Sequence, residues 1–253
     1  MAKRMVKRMA KQPTPARRAR RVPASGPAAE QRVLAAIQEA IFDHRLGPGA
    51  KLKELALADL FNVSRGAVRA ALARLGHAKL VELRLNRGAV VASPSADESR
   101  QIFEARCAIE CALVAKLAAG ASRSDLKALR DFVASEKASY ERGDERTGLR
   151  LSIDFHRKLA ELAGNAVLAR ILDELVARTP LIALTHGGRA PSTCGVDDHL
   201  ALIEALARRD ARRAGELMRE HIMHLESRLN LQRPEPTRTL AEAFGPRTAA
   251  AGR

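Results

Sequence analysis

The sequence predicts a mainly α-helical protein, with an N-terminal winged helix-turn-helix followed by a C-terminal antiparallel six-helix bundle. The composition favours helix over sheet, because 46% of the 253 residues are apolar, Trp is absent and Tyr occurs once. The stretch 46–91 reads as two helices around a tight turn and then a two-stranded ribbon. In the long remainder, apolar residues recur at helical spacing and no segment alternates like a strand. A chain of this length can bury two separate cores.

The formal net charge of +15 is distributed unevenly along the chain. Residues 1–29 hold nine Lys or Arg and no acidic residue, and residues 30–94 carry a net charge of +4. Residues 95–232 are neutral, with twenty-one basic and twenty-one acidic side chains, and residues 233–253 add +2. The positive charge therefore belongs to the N-terminal end, which indicates a polyanionic partner there.

These shifts in composition divide the chain into four parts. Residues 1–29 are predicted to be a basic, disordered arm, which either adds salt-sensitive affinity for DNA phosphate or is a solvated tail. Residues 30–94 are the predicted winged-helix domain, and residues 95–232 the predicted all-α effector-binding and dimerisation domain. Residues 233–253, rich in Pro, Thr and Ala, are predicted to be a flexible tail.

We expect a cytoplasmic protein with no membrane partner. No apolar run approaches the roughly 20 residues that span a bilayer, and no apolar segment follows the basic N-terminus as in a secretory signal. The three cysteines, Cys107, Cys111 and Cys194, are too few and odd in number for a disulfide framework.

Local chemistry supports the helices of the winged half. Apolar residues recur on one face of 31–44 and again of 54–61, as in two helices that bury one side. Asn62 and Val63 break that periodicity, and Ser64 is a good N-cap for a second helix that runs to about residue 76.

The helix that follows Ser64 is predicted to contact DNA. Arg65 and Arg69 lie four residues apart and off the buried stripe, on the face where a recognition helix meets base edges and phosphates. Arg74 lies farther along, where backbone contact is expected, and Arg87 lies at the tip of the predicted hairpin. The alternative is a small helical domain whose arginines are only solvated. The predicted DNA contacts are those of Ser64, Arg65, Gly66, Arg69, Arg74, Arg87 and Gly88.

About sixty residues of this half resemble the N-terminal domain of the GntR family of bacterial transcription regulators, which implies a double-stranded DNA operator. The resemblance is carried, in the order and spacing of the family, by Pro48, Gly49, Leu52, Glu54, Leu57, Ala58, Val63, Ser64, Arg65, Val68, Arg69, Ala71, Leu72, Leu75, Leu80, Val81, Asn86, Arg87, Gly88 and Ala89. Gly66 and Ala67 stand where the family usually has Thr-Pro, and Ala70 where it has Glu. Gly66 lacks a hydroxyl for a phosphate, so operator preference is not carried over.

The C-terminal half is predicted to form six helices, at 97–119, 123–141, 144–163, 166–185, 196–208 and 210–231, with Pro180 kinking the fourth. Three histidines, His156, His199 and His221, fall on inward apolar stripes of the third, fifth and sixth helices. Buried imidazoles need partners, because an unpaired buried polar group costs on the order of 1–3 kcal/mol. Three converging imidazoles either bind a divalent metal with open coordination positions or form a metal-free, hydrogen-bonded core cluster.

This half resembles the FCD ligand-binding domain of the FadR-type branch of the GntR family. The matching residues are Glu104, Ala105, Arg106, Glu110, Phe155, His156, Leu162, Ala163, Gly164, Asn165, Asp198, His199, Ile203, Ala205, Ala214, Met218, His221 and Ile222. The resemblance implies a divalent cation on the three histidines, joined in metal-binding members by an Asp four residues before the first. Here that position is Ser152, so the fourth ligand is open: water, Ser152 or a carboxylate of the effector. Zn²⁺ is the default for imidazole ligands, with Ni²⁺, Mn²⁺ or Fe²⁺ as alternatives.

Arg106 lies on an inward stripe and has two interpretations. It forms a buried salt bridge, with Glu110 as the nearest candidate, or it grips the carboxylate of a small organic acid beside the metal. Asn165 is a weaker candidate for effector binding, because a helix end alone explains Gly164 and Asn165.

We therefore expect a homodimeric, metabolite-responsive transcription regulator whose effector is a small carboxylic acid. Dimerisation is expected because helix-turn-helix proteins normally read two half-sites with two-fold symmetry. Two alternatives are a regulator whose His and Arg cluster is metal-free and structural, and a metal-dependent enzyme fused to a DNA-binding module. The enzyme is disfavoured because no general base is evident near the histidines.

Overall fold

The computed structural model describes residues 23–84, 88–187 and 194–231, which form ten α-helices and three β-strands. The first six elements are α1 (Pro27–Phe42), β1 (Lys51–Leu52), α2 (Glu54–Phe61), α3 (Arg65–His77), β2 (Val81–Arg84) and β3 (Gly88–Val91). The remaining seven are α4 (Ala96–Gly120), α5 (Arg123–Glu141), α6 (Glu145–Leu162), α7 (Ala166–Val176), α8 (Thr179–Thr185), α9 (Cys194–Ala207) and α10 (Ala211–Ser227). We call residues 23–92 the head and residues 96–231 the bundle. None of the helices described is long and apolar enough to cross a membrane.

The head is a winged helix-turn-helix, as the sequence predicts. Helix α2 ends at Asn62, whose left-handed backbone (φ 49) is a conformation that Asn tolerates better than most residues. Helix α3 begins directly afterwards, where the side chain of Ser64 accepts a hydrogen bond from the Ala67 amide at 3.2 Å. The wing is an antiparallel sheet in the order β1-β3-β2, with Val81 opposite Val91.

Two features of the head differ from the prediction. Strand β1 was not predicted, because a two-residue strand is too short for an alternating pattern and exists only through its pairing with β3. The arm expected over 1–29 ends earlier than predicted. Ala24 is bonded to the backbone of Asn62 and Ser64, and α1 begins at Pro27. Residues 1–22 of the arm and the predicted tail at 233–253 fall outside the described residues.

Helix α4 occupies the centre of the bundle, where it packs against α6, α7, α9 and α10. A separate apolar core lies between these helices, and α5 closes one side by packing on α6 and α9. The helix predicted over 166–185 is two helices rather than one kinked helix. Pro180 has no amide hydrogen and its ring would clash with the carbonyl of Val176, so α7 ends at Val176 and α8 starts with Pro180 in its first turn. The described part of the bundle thus has seven helices instead of six.

Head and bundle touch through α6 and α8. The buried carboxylate of Asp43, just after α1, forms ion pairs with Arg146 and, at 3.6 Å, with Arg150, both on α6. The Arg150 guanidinium also lies 5.0 Å from the centre of the Phe42 ring. Leu181 of α8 is fully buried in the core of the head. Two bundle helices therefore contribute directly to the environment of α1.

Gly88→Ala should destabilise the wing by more than about 2 kcal/mol. Gly88 has a φ of +83°, and a Cβ there would lie 2.3 Å from the carbonyl oxygen of Leu52. Gly26→Ala is the matched control, since Gly26 has a φ of +86° but nothing within 4 Å of such a Cβ. Urea unfolding of both variants separates the clash from the backbone strain that they share. Equal losses of stability in the two variants would contradict the clash.

Candidate metal centre and DNA-binding surface

Helix α3 carries the predicted arginines on an exposed face. The side chains of Arg65 and Arg69 are 64% and 68% exposed, and both reach the carboxylate of Glu54 at the start of α2. Arg69 makes two bonds to it, at 3.1 and 2.9 Å, whereas Arg65 lies at 3.8 Å. The pairing with Arg69 lowers the pKa of Glu54. Glu54 thus orders the two guanidinium groups side by side on the surface of α3.

The other described residues predicted to contact DNA make different contacts from Arg65 and Arg69. Arg74 donates to Glu30 and Gln31 of α1, each at 3.1 Å, so it joins two helices of the head. Gly66 is exposed near the start of α3, and a Cβ there would meet only the Ser64 hydroxyl, at 3.8 Å, so packing does not require glycine. Gly88 is required by the close approach of β1 in the wing. Arg87 lies outside the described residues.

The three inward histidines come together from three helices of the bundle. His156 lies on α6, His199 on α9 and His221 on α10, and all three side chains are buried. One ring nitrogen from each lies within 4.8 Å of the other two. The Nε2 atoms of His156 and His221 are 3.3 Å apart, and Nε2 of His199 is buried without a hydrogen-bond partner among the described residues.

Each histidine is oriented by a carboxylate on its other nitrogen. Nδ1 of His156 lies 2.5 Å from Glu110, Nδ1 of His199 lies 2.9 Å from Glu136, and Nδ1 of His221 lies 3.0 Å from Asp198. An ionised carboxylate can only accept a hydrogen bond, so the proton of each neutral ring belongs on Nδ1. All three Nε2 lone pairs are then left facing one another. Carboxylate–histidine pairs of this kind orient imidazole ligands of metal ions.

The charge states of these groups favour that arrangement. Burial opposes ionisation of Glu110, but the Arg106 guanidinium and the bond from His156 outweigh it and lower its pKa to about 2. Burial lowers the pKa of His156 to about 3 and also lowers that of His221. The bond from His221 lowers the pKa of Asp198. Near neutral pH Glu110 and Asp198 are therefore charged, and the rings of His156 and His221 are neutral.

Three imidazole rings with one nitrogen each brought together are a donor set that fits a divalent cation. Two Nε2 acceptors 3.3 Å apart repel each other unless a proton or a cation lies between them. Burial disfavours the proton, because it lowers the pKa of both rings. Imidazole nitrogens are preferred ligands of Zn²⁺, Ni²⁺ and Fe²⁺, and three of them leave positions for further ligands.

The fourth position predicted from the sequence is Ser152, one turn before His156. Its side chain is half-buried, and its hydroxyl lies 3.9 Å from where a Cβ on Gly195 would be. Gly195, Asp198 and His221 line one cavity of about 280 Å³. Ser152 is thus close to a residue of the cavity that adjoins the histidines. Asp154 lies two residues before His156, on a different side of the helix, and pairs with Arg157 at 2.7 Å.

Arg106 forms the predicted salt bridge and keeps one donor unused. Its Nε donates to Glu110 at 2.8 Å, and its Nη1 donates to the Thr179 hydroxyl at 3.1 Å. Nη2 is buried with no hydrogen-bond partner among the described residues. Glu110 contacts both Arg106 and His156, so its carboxylate connects the Arg106 guanidinium to the histidine cluster.

Asn165 has a local structural role. Its side-chain oxygen accepts from the Leu168 amide at 3.1 Å and thereby caps the start of α7 rather than the end of the preceding helix. Sequence reasoning missed Glu136 and did not assign a role to Asp198. Glu136 carries a usable signal, since it continues the buried α5 stripe of Leu129 and Val133 at helical spacing.

Comparison with known proteins agrees with both halves. Residues 29–91 match the family model described as bacterial regulatory proteins, gntR family, and residues 101–224 match the FCD domain. The HTH-type transcriptional regulator BphR of Paraburkholderia xenovorans is 31% identical over 207 residues, which cover 76% of this chain and 80% of BphR. The chain belongs to the GntR family.

Other GntR-family proteins share this organisation. The transcriptional repressor RspR of Escherichia coli is 26% identical over 191 residues, covering 75% of this chain and 84% of RspR. A crystal structure of a GntR regulator from Rhodococcus has a TM-score of 0.70 at 24% identity, covering 79% of this chain and 97% of that one, and shows the same fold. The family and these relatives are transcription regulators rather than enzymes. The chain is thus a DNA-binding transcription regulator of the GntR type with an FCD domain.

The metal-free protein should lose stability as the pH falls from about 6.5 towards 3. In this range the unfolded chain binds protons that buried His156, with its pKa of about 3, does not, so each pH unit costs roughly 1.4 kcal/mol for such a histidine. Below about pH 4.5 Glu110 adds to the effect, because the unfolded chain protonates this carboxyl while the folded protein, in which its pKa is about 2, does not. Urea unfolding in the presence of a chelator at pH 7.5, 6.5 and 5.5 measures the slope.

His156→Gln should make that slope shallower, while exposed His77→Ala should leave it unchanged. If His156→Gln keeps the slope of the parent, the buried ring is not the group that titrates.

Proposed function

We propose that this GntR-family regulator binds a divalent metal ion on His156, His199 and His221 and senses a small carboxylic acid at the same place. The observation that carries the proposal is the orientation of the three rings, each fixed through Nδ1 by its own carboxylate so that Nε2 converges with the others. Zn²⁺ is the expected ion, with Ni²⁺, Mn²⁺ and Fe²⁺ as alternatives. The bound cation would supply electrostatic attraction for a carboxylate oxygen.

Arg106 is the proposed anchor for the acid. Its buried Nη2 is a charged donor with no hydrogen-bond partner in the described part of the chain, and a guanidinium binds carboxylates in a defined planar geometry. Ser152 is proposed as the fourth ligand of the metal. Water and a carboxylate of the acid are the alternatives for that coordination position. Asn165 is a weaker candidate for contact with the acid, because its side-chain oxygen already caps α7.

The head is proposed as the DNA-binding domain and the bundle as the effector-binding and dimerisation domain. A homodimer would place two α3 helices on two operator half-sites. If the acid binds one relative placement of the two heads better than another, operator affinity changes by that difference, typically about 1–3 kcal/mol. The contacts of α6 and α8 with the head support this link.

Metal binding is tested by elemental analysis of protein purified without a metal-affinity tag. About one divalent ion per chain is expected, and His221→Ala should lose it. His224→Ala is the matched control, because both histidines lie on α10 and approach the same oxygen of Asp198, but the side chain of His224 is 68% exposed. Asp198 is 32% exposed, so loss of the His221 ring leaves a solvated carboxylate and a folded protein.

Ser152→Asp should raise the affinity for the metal, since it adds a charged oxygen ligand at the position where the resemblance to the FCD domain implies Asp. A chelator competition series gives the affinity of each variant. Metal-free parent protein together with a metal-free Ser152→Asp variant would mean that the histidines form a structural cluster, and the metal proposal would be abandoned.

Arg69→Ala should weaken operator binding by about 10- to 100-fold, equivalent to about 1–3 kcal/mol for a base contact. The operator is first selected from a random-sequence DNA pool with the parent protein. Arg212→Ala is the control, since Arg212 is an exposed arginine of α10 in the bundle. Equal affinities for the parent and Arg69→Ala would remove this face of α3 from the proposed interface.

The acid is sought with a panel of mono- and dicarboxylic acids, scored by thermal stabilisation and by a change in operator affinity. Arg106→Lys is the informative variant, because it keeps the charge beside Glu110 but loses the planar fork. A stabilising acid should lose most of its effect in this variant. If no acid changes operator affinity of the metal-loaded protein, the sensing proposal fails while metal binding stands on its own test.

A further inference from the structure

We propose that Cys107 and Cys111 of α4 form a two-coordinate site for a soft monovalent cation, with Cu⁺ as the ion. The two residues are four positions apart on the helix, and both thiols are free and half-buried. Their Sγ atoms lie 4.0 Å apart. The inference is independent of the proposed three-histidine centre, which uses other side chains and nitrogen ligands.

The distance between the two sulfur atoms fits one ion between them. A zinc–thiolate bond, as a guide to metal–sulfur lengths, is about 2.3 Å long, so an ion on the straight line between two sulfur atoms needs them about 4.6 Å apart. A small rotation of either side chain supplies the difference from the observed 4.0 Å. Helix α4 is continuous through both residues, so it holds the thiols on one face.

The same geometry opposes a disulfide between the two cysteines. A disulfide needs its sulfur atoms about 2.05 Å apart and its Cβ atoms about 3.5–4.5 Å apart. Residues four apart on a helix have their Cβ atoms about 5–6 Å apart. Closing the bond would therefore distort the middle of α4, next to Arg106 and Glu110. The helix keeps the thiols at a spacing that an ion can bridge and that a direct bond cannot close without distortion.

The number and type of the ligands select the class of ion. Within the described part of the chain, the three histidines are the group of three or more possible metal ligands, and neither thiol belongs to it. Zn²⁺ in proteins is held by three or four protein ligands. Thiolates select Cu⁺, which is stable with two ligands in a linear arrangement. The cysteine pair therefore fits Cu⁺ better than Zn²⁺.

The surroundings of the pair suit the charge of the complex. Cu⁺ displaces the proton of each thiol to solvent, so two thiolates and one monovalent cation together carry one net negative charge. The exposed guanidinium of Arg219, on α10, donates through Nη1 to the Cys107 sulfur at 3.7 Å. This positive charge compensates the negative charge of the complex.

Without an ion the pair remains reduced and reachable. Burial and the neighbouring Cys107 raise the pKa of Cys111 to about 11, and the Cys111 thiol donates to the carbonyl of Gly215 at 3.4 Å. A protonated thiol oxidises slowly, because the thiolate is the reactive form. The surface of α10 at this point is open, since a Cβ on Gly215 would have nothing within 4 Å.

The test measures the transfer of Cu⁺ from a coloured Cu⁺ chelator, bathocuproine disulfonate, to the full chain under anaerobic conditions. One Cu⁺ per chain should leave the chelator. Cys111→Ser should weaken Cu⁺ binding by about 100- to 10,000-fold, because one of two linked ligands is lost. Cys194→Ser is the matched control, since it changes the remaining cysteine of the chain and should keep the parent affinity. Circular dichroism checks that both variants fold.

X-ray absorption of the Cu⁺-loaded parent protein identifies the ligands without any substitution. Two sulfur neighbours and no nitrogen neighbour are expected. His221→Ala should leave Cu⁺ binding unchanged, because this ring belongs to the histidine cluster. Arg219→Ala should weaken Cu⁺ binding by about 2- to 5-fold, as for an exposed charge pair, whereas Arg212→Ala on the same helix should have no effect.

Three results would each overturn the proposal. If the chelator keeps its Cu⁺, or if the parent and Cys111→Ser remove it equally, the two thiols are not the ligands. Nitrogen neighbours in the absorption spectrum would assign the copper to the histidine cluster instead. If diamide links Cys107 to Cys111 in the folded protein, with a mass loss of two hydrogens, α4 does not hold the thiols apart and the spacing no longer selects an ion.

Discussion

Burial of a single carboxylate, that of Glu110, is the constraint on which the centre of the bundle depends. A buried charge is tolerated only when it is paired, and Glu110 is paired with Arg106 at 2.8 Å and with His156 at 2.5 Å. Removing one partner of such a pair typically costs about 3–5 kcal/mol. The same pairing fixes the proton of His156 on Nδ1 and holds the Arg106 guanidinium in place. One acidic residue of α4 therefore orients both a proposed metal ligand and the proposed anchor for the acid.

The other two histidine rings are oriented in the same way, but their carboxylate partners differ in exposure to solvent. Glu136, the partner of His199, is fully buried, whereas Asp198, the partner of His221, is about one-third exposed. The cavity beside the cluster opens on this more exposed side, where Asp198 and His224 line it. A ligand in this cavity would thus meet the cluster beside α10, and the buried carboxylates of Glu110 and Glu136 do not line the cavity.

The centre of the bundle and the head share structural elements. Arg106 donates to Thr179, and Leu181, two residues along the same short helix, is buried in the core of the head. Helix α6 carries His156 near its C-terminal end and the two arginines that bind Asp43 in its first half. A structural change at the histidine cluster would therefore act on α6 and α8. Both helices contact α1 directly.

The sequence by itself determined the winged head, the exposed placement of Arg65 and Arg69, and the inward direction of the three histidines. These features depend on caps, turns and helical periodicity, which are local properties of the chain. Only the tertiary structure decided which carboxylate each ring meets, because these partners lie 46, 63 and 23 residues apart. The tertiary structure also decided strand β1, which exists only through its pairing with β3. It decided the break before Pro180 as well, because the apolar periodicity of the sequence continues through both α7 and α8. A period fixes which face of a helix is buried, but the neighbour on that face depends on how the helices pack.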